Sequence, residues 1–205
     1  MPFLTAVKLK TLYSSGHSMT DIAKQENVSI HKVVYWMNKY KISRRSLSEA
    51  TYVKRNPLGN PFKIAPIDTH EKIELFTLGI GLFLGEGNKR DNYQVRFANS
   101  DSKIIKLFVT FLRELYFVNE NKIRATLNIF DDLNYSECLK YWVKITGISE
   151  NRFYKPTIRP GKIGTYKNKS KYGTITILVS NKKLLDHIKF WCNNYLDKYA
   201  EVVQW

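Results

Sequence analysis

Glu86 closes the most apolar stretch of this chain. Eleven uncharged residues, Leu75 to Gly85, run directly into it, and Gly87, Asn88, Lys89 and Arg90 follow. The stretch predicts a helix, and the C-terminal end of a helix is an unfavourable place for a carboxylate. The negative end of the macrodipole opposes it by a few tenths to ~1 kcal/mol, and apolar surroundings limit its solvation. A cation should compensate. Gly81 and Gly85 lie four apart on one face, and each glycine in a helix interior costs ~1 kcal/mol against alanine. Such spacing permits close approach of another helix. If that helix is the same one in a second subunit, Leu78, Gly81, Leu82 and Gly85 form the interface. A twofold axis then brings two Glu86 carboxylates together, and these repel unless a divalent cation bridges them. Two plainer readings stand beside this one. Glu86 can be a solvated helix end paired with Lys89 or Arg90, and the glycines can serve packing within one subunit.

The elements that position these residues follow from periodicity. A helix runs from about Thr69 to Glu86, opened by an Asp68/Glu71 capping pair. "NYQVRFANS" alternates as a strand, with Val95 and Phe97 on one face and Gln94 and Arg96 on the other. Ser100 or Asp101 caps an amphipathic helix with Ile104, Phe108, Phe111, Leu112 and Leu115 inward. In "KIRATLNIF", Ile123, Ala125, Leu127 and Ile129 face the core, while Lys122, Arg124, Thr126 and Asn128 face out. A helix follows from Ser136 to Ile145, ended by Gly147. Residues 152–171 hold seven basic and no acidic residues, Lys167, Lys169 and Lys171 among them. They are expected to form a loop that orders on phosphates. "GTITILVS" is a further strand, and Asn181 opens the last helix. One sheet face is thus apolar and covered. The other is open, polar and basic, with donors suited to bases and phosphates.

The N-terminal third differs. A helix over 5–15 ends at Gly16. Thr20 is expected to cap a second helix carrying Ile22 and Ala23, and Ser29 a third with Val33, Trp36 and Met37 at core spacing. This pair resembles a helix-turn-helix of the resolvase or sigma-factor type. The resemblance implies that Ile30, His31, Lys32, Val34 and Tyr35 meet base edges in the major groove, with Arg44 and Arg45 at phosphates. The plainer reading is a trihelical module with a solvated basic face. Residues 46–68, with three prolines, read as a linker. The domains expected are therefore 1–45, 46–68 and 69–205.

The charge balance fits a polyanionic partner. The 205 residues carry 33 Lys and Arg against 18 Asp and Glu, a net charge of +15. Residues 1–63 hold 11 basic and 3 acidic residues, so the surplus is shared between the two halves. With 43% hydrophobic residues, disorder is excluded. The longest apolar run is far short of a membrane span. Cys138 and Cys192 stand apart without a CxxC, which predicts reduced thiols in a cytoplasmic protein, nucleoid-associated if prokaryotic, and argues against zinc. His17, His31, His70 and His187 are scattered and form no histidine-based nuclease cluster.

"GIGLFLGEG", residues 79–87, resembles the LAGLIDADG motif of homing endonucleases, and the strand-to-helix step "VRFANSDSKIIKLF" strengthens the likeness. It implies an α+β fold: the N-terminal all-α helix-turn-helix, then an αββαββα saddle with one inserted helix. A single motif copy implies a homodimer. The resemblance further implies Mg²⁺ or Mn²⁺ held at Glu86 and Gly85, hydrolysis of a phosphodiester in double-stranded DNA, and Arg96 and Arg124 as the basic catalytic candidates. Lys89, Gln94, Arg96, Lys122, Arg124, Thr126 and Asn128 would contact the duplex. Leu84 stands where the family's penultimate acid would be. The alternatives are a transcription regulator that keeps the architecture without cleavage and, less favoured, an RNA-binding protein of the maturase kind. No membrane partner is expected.

Overall fold

The structure, a computed structural model, describes residues 4–161 and 170–200. The chain divides into two compact units, Met1–Pro61 and Phe62–Trp205.

The first unit is helical: α1 (Ala6–Ser14), α2 (Met19–Gln25), α3 (Ile30–Lys39) and α4 (Leu47–Arg55). Ser18, not Thr20, caps α2. Its hydroxyl accepts from the Asp21 N–H while the Asp21 carboxylate accepts from the Ser18 N–H. This reciprocal pair satisfies two orphan donors at once and places Thr20 inside the first turn. Asn27 turns the chain between α2 and α3 at φ 49°, a conformation asparagine tolerates better than most residues. Ser29 caps α3 as expected. Leu4, Leu9, Tyr13, Ile22, Ala23, Val33 and Met37 form the core. Lys8 pairs with the buried Glu26 at 2.5 Å, tying α1 to the end of α2. The expected linker is shared out: α4 belongs to this unit, whereas Phe62 and Ala65 are buried in the second. There the Lys63 and Ala65 N–H groups donate to the Tyr116 and Leu115 carbonyls.

The second unit is α+β. Its elements are α5 (His70–Glu86), β1 (Val95–Asn99), α6 (Ser102–Glu114), β2 (Ile123–Phe130), α7 (Tyr135–Thr146), β3 (Thr157–Arg159), β4 (Thr174–Val179) and α8 (Lys182–Ala200). The sheet order is β1-β4-β2-β3. β4 runs antiparallel to both β1 and β2, and β3 runs parallel to β2. Two points differ from expectation. The first hairpin strand is reduced to one bridge, Gly87 to Phe97, with the Asn88 N–H on the Arg96 carbonyl. And β3 lies within the stretch expected to be all loop. Thr69 caps α5, and Asp68 instead pairs with Lys72 at 2.7 Å.

One face of the sheet carries the core. Val95, Phe97, Ile123, Ala125, Leu127, Ile129, Ile175 and Ile177 are all at most 2% exposed. Phe108 of α6 stacks on Phe97 at 4.0 Å, and Trp142 of α7 sits in the same core, its indole N–H on the Tyr172 carbonyl. At ~25 cal/mol per Å² of buried apolar surface, this layer dominates the stability of the unit.

Candidate functional site

α5 has two faces of opposite character. Phe76, Gly79, Ile80 and Phe83 are buried. At Gly79 a Cβ atom would lie 2.1 Å from Cδ2 of Phe111, so intramolecular packing demands glycine there. At Gly81 and Gly85 a Cβ would meet nothing within 4 Å. Both are exposed, as is Leu78, while Leu82 is half-buried against the core. The two glycines that looked costly therefore answer to no packing among the described residues, whereas Gly79 does.

Glu86 is exposed at the tip of this helix and has no hydrogen-bond or ion-pair partner among the described residues. The compensating cation is present but acts on the helix, not the acid: the Lys89 ammonium donates to the Leu84 carbonyl. That engagement also occupies Lys89, expected at the duplex. The Arg90 backbone N–H donates to the Asn88 side chain. The Gly87–Phe97 bridge brings the chain after Glu86 alongside Arg96 on β1. No three His, Cys, Asp or Glu side chains cluster to hold a metal among the described residues. The chain thus offers at this tip one carboxylate that no described residue engages, with open space at Gly85.

The second sheet face is set by register, and it is open only toward its margins: on the middle strand Leu178 is 6% and Thr176 7% exposed. Arg96 of β1, Leu178 of β4 and Arg124 of β2 form one lateral row, and Ala98, Thr176 and Thr126 form the next. Arg96 is exposed; Lys122, Arg124, Thr126 and Asn128 are half-buried. The Thr126 hydroxyl donates to the Lys155 carbonyl at 3.3 Å, and the Asn128 amide lies 3.5 Å from the Thr176 hydroxyl. Gln94 continues the alternation of this face one step before the Val95–Val179 pair, but its side chain is not free for a duplex. It is 8% exposed, its side-chain carbonyl accepts from Ser180, and its N–H donates to Asp91. Thr157 and Arg159 also belong to the face, paired with Asn128 and Phe130. Sequence reading took them as part of the basic 152–171 loop, because a three-residue strand between prolines gives no alternation long enough to detect.

In the first unit, Ile30, His31, Tyr35 and Arg44 are exposed, and Lys32 and Val34 half-exposed, along the start of α3 and just beyond it. Arg45 is a correction. Its guanidinium donates to the carbonyls of Tyr13, Gly16 and His17 and lies 4.1 Å over the Tyr13 ring, so it fastens the end of α1 and is not free for a phosphate. Lys171 is exposed and sits 5.4 Å from the Tyr172 ring; Lys167 and Lys169 lie outside the described residues. Burial pushes the Cys138 and Cys192 thiols above their ordinary range, which makes both poor nucleophiles. No helix among the described residues is long and apolar enough to cross a membrane.

No protein-family model matches this chain, and no curated protein or solved structure matches it.

Proposed function

We propose that the protein binds duplex DNA as a homodimer and cleaves it with Mg²⁺ or Mn²⁺, in the manner of LAGLIDADG endonucleases. The observation that carries this reading is the unpartnered tip of α5. An exposed strip of Leu78, Gly81 and Gly85 leads to a carboxylate that no described residue engages. Two such helices crossing at the glycines would set two Glu86 side chains side by side. When bound there, the divalent ion supplies Lewis-acid chemistry for phosphodiester hydrolysis. Glu86, with the Gly85 carbonyl, would hold the ion, and Arg96 and Arg124 would neutralise phosphate charge on the sheet face. The first unit, as a helix-turn-helix, would add base contacts from Ile30, His31, Lys32 and Tyr35.

The test uses supercoiled plasmid with and without Mg²⁺, comparing the full chain with Glu86→Gln. The expected result is ion-dependent nicking or cutting that Glu86→Gln loses while its gel shift on the same DNA persists. Cleavage by the substituted protein would remove the site assignment. Binding without cleavage by the unaltered protein, with either ion, leaves the non-cleaving regulator as the function.

A further inference from the structure

We infer that β3 and the residues before it form an added phosphate-contacting rim that extends the open sheet face, with Lys155 and Arg159 as its cations and duplex DNA as its partner. The inference rests on the DNA-binding reading above and gives two cations of the basic 152–171 stretch a fixed place at the edge of the sheet.

The first observation is a slip in register. Phe153 bridges Ala125, but Thr157 pairs with Asn128, so four residues on this segment span three on β2. One extra residue is therefore accommodated between Tyr154 and Pro156, as in a bulge. A one-residue slip exchanges the two faces of a strand. Phe153 packs against the core with Ala125, whereas Thr157 and Arg159 fall on the open face beside Asn128 and Phe130. Without the slip, Arg159 would point to the apolar side.

The second observation concerns the strand's free edge. The Asp131 N–H donates to the Arg159 carbonyl, so Arg159 and Thr157 turn their backbone groups toward β2. Residues 156, 158 and 160 then turn outward. Two of these are prolines and lack an N–H, which leaves Ile158 with the one outward donor of the three. Such an edge resists pairing with another strand. Exposure here therefore serves side chains and not sheet extension.

The third observation is charge. Tyr154, Lys155, Thr157 and Arg159 are all exposed, and neither Lys155 nor Arg159 has an acidic partner among the described residues. The nearby Asp131 carboxylate is taken by the Gly161 N–H at 2.8 Å, which also fixes the end of the rim. Arg159 lies beside Phe130 and the Lys155 backbone beside Thr126, so two unpaired cations are added along the β3 edge of the face that carries Arg124 and Arg96.

The experiment measures affinity for a 30-base-pair duplex of arbitrary sequence as a function of salt, using the full chain. Each phosphate contact contributes about 0.9 to the slope of log K against log salt. The K155A/R159A double substitution should lower the slope by about 1.8, and affinity at ~0.15 M salt by about 30-fold. A charge-matched control, K103A/K106A, removes two exposed lysines from α6, on the helical side of the sheet. It should keep nearly the unaltered slope, and both proteins should melt like the unaltered one. An unchanged slope in K155A/R159A overturns the rim while leaving DNA binding intact. Equal losses in both double substitutions overturn it too, since net charge alone would then explain them. If the unaltered protein binds no duplex at any salt, the rim and the parent reading fall together.

Discussion

Substituting Gly79 and Gly81 with alanine should move stability in opposite directions, although the two positions are two residues apart on one helix. Helix propensity favours alanine at each by up to ~1 kcal/mol. At Gly81 nothing opposes that gain, because the new methyl meets no atom within 4 Å. At Gly79 it would lie 2.1, 2.4 and 2.6 Å from three ring atoms of Phe111. Carbon atoms in contact sit about 3.5–4.0 Å apart, so the ring would have to withdraw by roughly 1.5 Å. It has nowhere to go. Phe111 is fully buried, with Phe76, Phe108 and Tyr116 at centroid distances of 6.5, 5.6 and 5.2 Å. Overpacking of this kind costs about 1–3 kcal/mol; at the upper end, the net loss for Gly79→Ala is about 2 kcal/mol. Urea unfolding at sub-micromolar protein, where association contributes little, should show the difference. With a slope near 2 kcal/mol per molar, the midpoint of the second unit should fall by about 1 M for Gly79→Ala and rise by about 0.3–0.5 M for Gly81→Ala. A Gly79→Ala protein as stable as the unaltered one, or a destabilised Gly81→Ala protein, would refute the division of α5 into a filled and a vacant face.

Tyr116 carries a buried hydroxyl with no hydrogen-bond partner among the described residues. Tyr116→Phe removes the desolvation cost of that group, so stability should be unchanged or rise by up to ~1 kcal/mol in the same urea assay. His187 should make the second unit acid-sensitive. Burial lowers its pKa, and the Trp191 indole N–H donates to Nε2 at 3.3 Å, which requires the neutral ring. Its contribution is fully present above the ordinary imidazole value near 6.5 and is lost as pH falls through the lower folded value. The urea midpoint should therefore drop as pH falls below about 6.5, and His187→Gln should flatten that part of the profile.

The legible parts of the fold were those fixed by local periodicity. The strict alternation of Ile123 to Phe130 and the 3.6-residue spacing of Ser102 to Glu114 each need only one apolar layer to interpret. α5 was placed to within a residue because apolar length and a following glycine bound it. What stayed hidden depends on partners distant in sequence. Arg45 looks like any surface arginine until Tyr13 of α1 and Gly16 and His17 beyond it present three carbonyls to it. Gln94 alternates correctly with Val95, yet its side chain is buried and held by Ser180. β3 exists because β2 offers an edge, and its bulge has no signature in "YKPTIRP". Among the glycines, sequence spacing singled out Gly81 and Gly85, which are vacant, and passed over Gly79, which Phe111 fills. Spacing reveals a face but not what occupies it.

The central claim is that two α5 helices meet at Gly81. It can be tested by placing a cysteine there. Cys138 and Cys192 are 2% and 4% exposed, so the unaltered chain should resist cross-linking. A disulfide needs Cα atoms about 4.4–6.8 Å apart, a separation that helices crossing at a glycine provide. Under mild oxidation at micromolar protein, G81C should form a covalent dimer within minutes, far faster than K103C, whose exposed site lies on α6. G81C cross-linking no faster than K103C would contradict the paired-helix geometry and the shared Glu86 site with it.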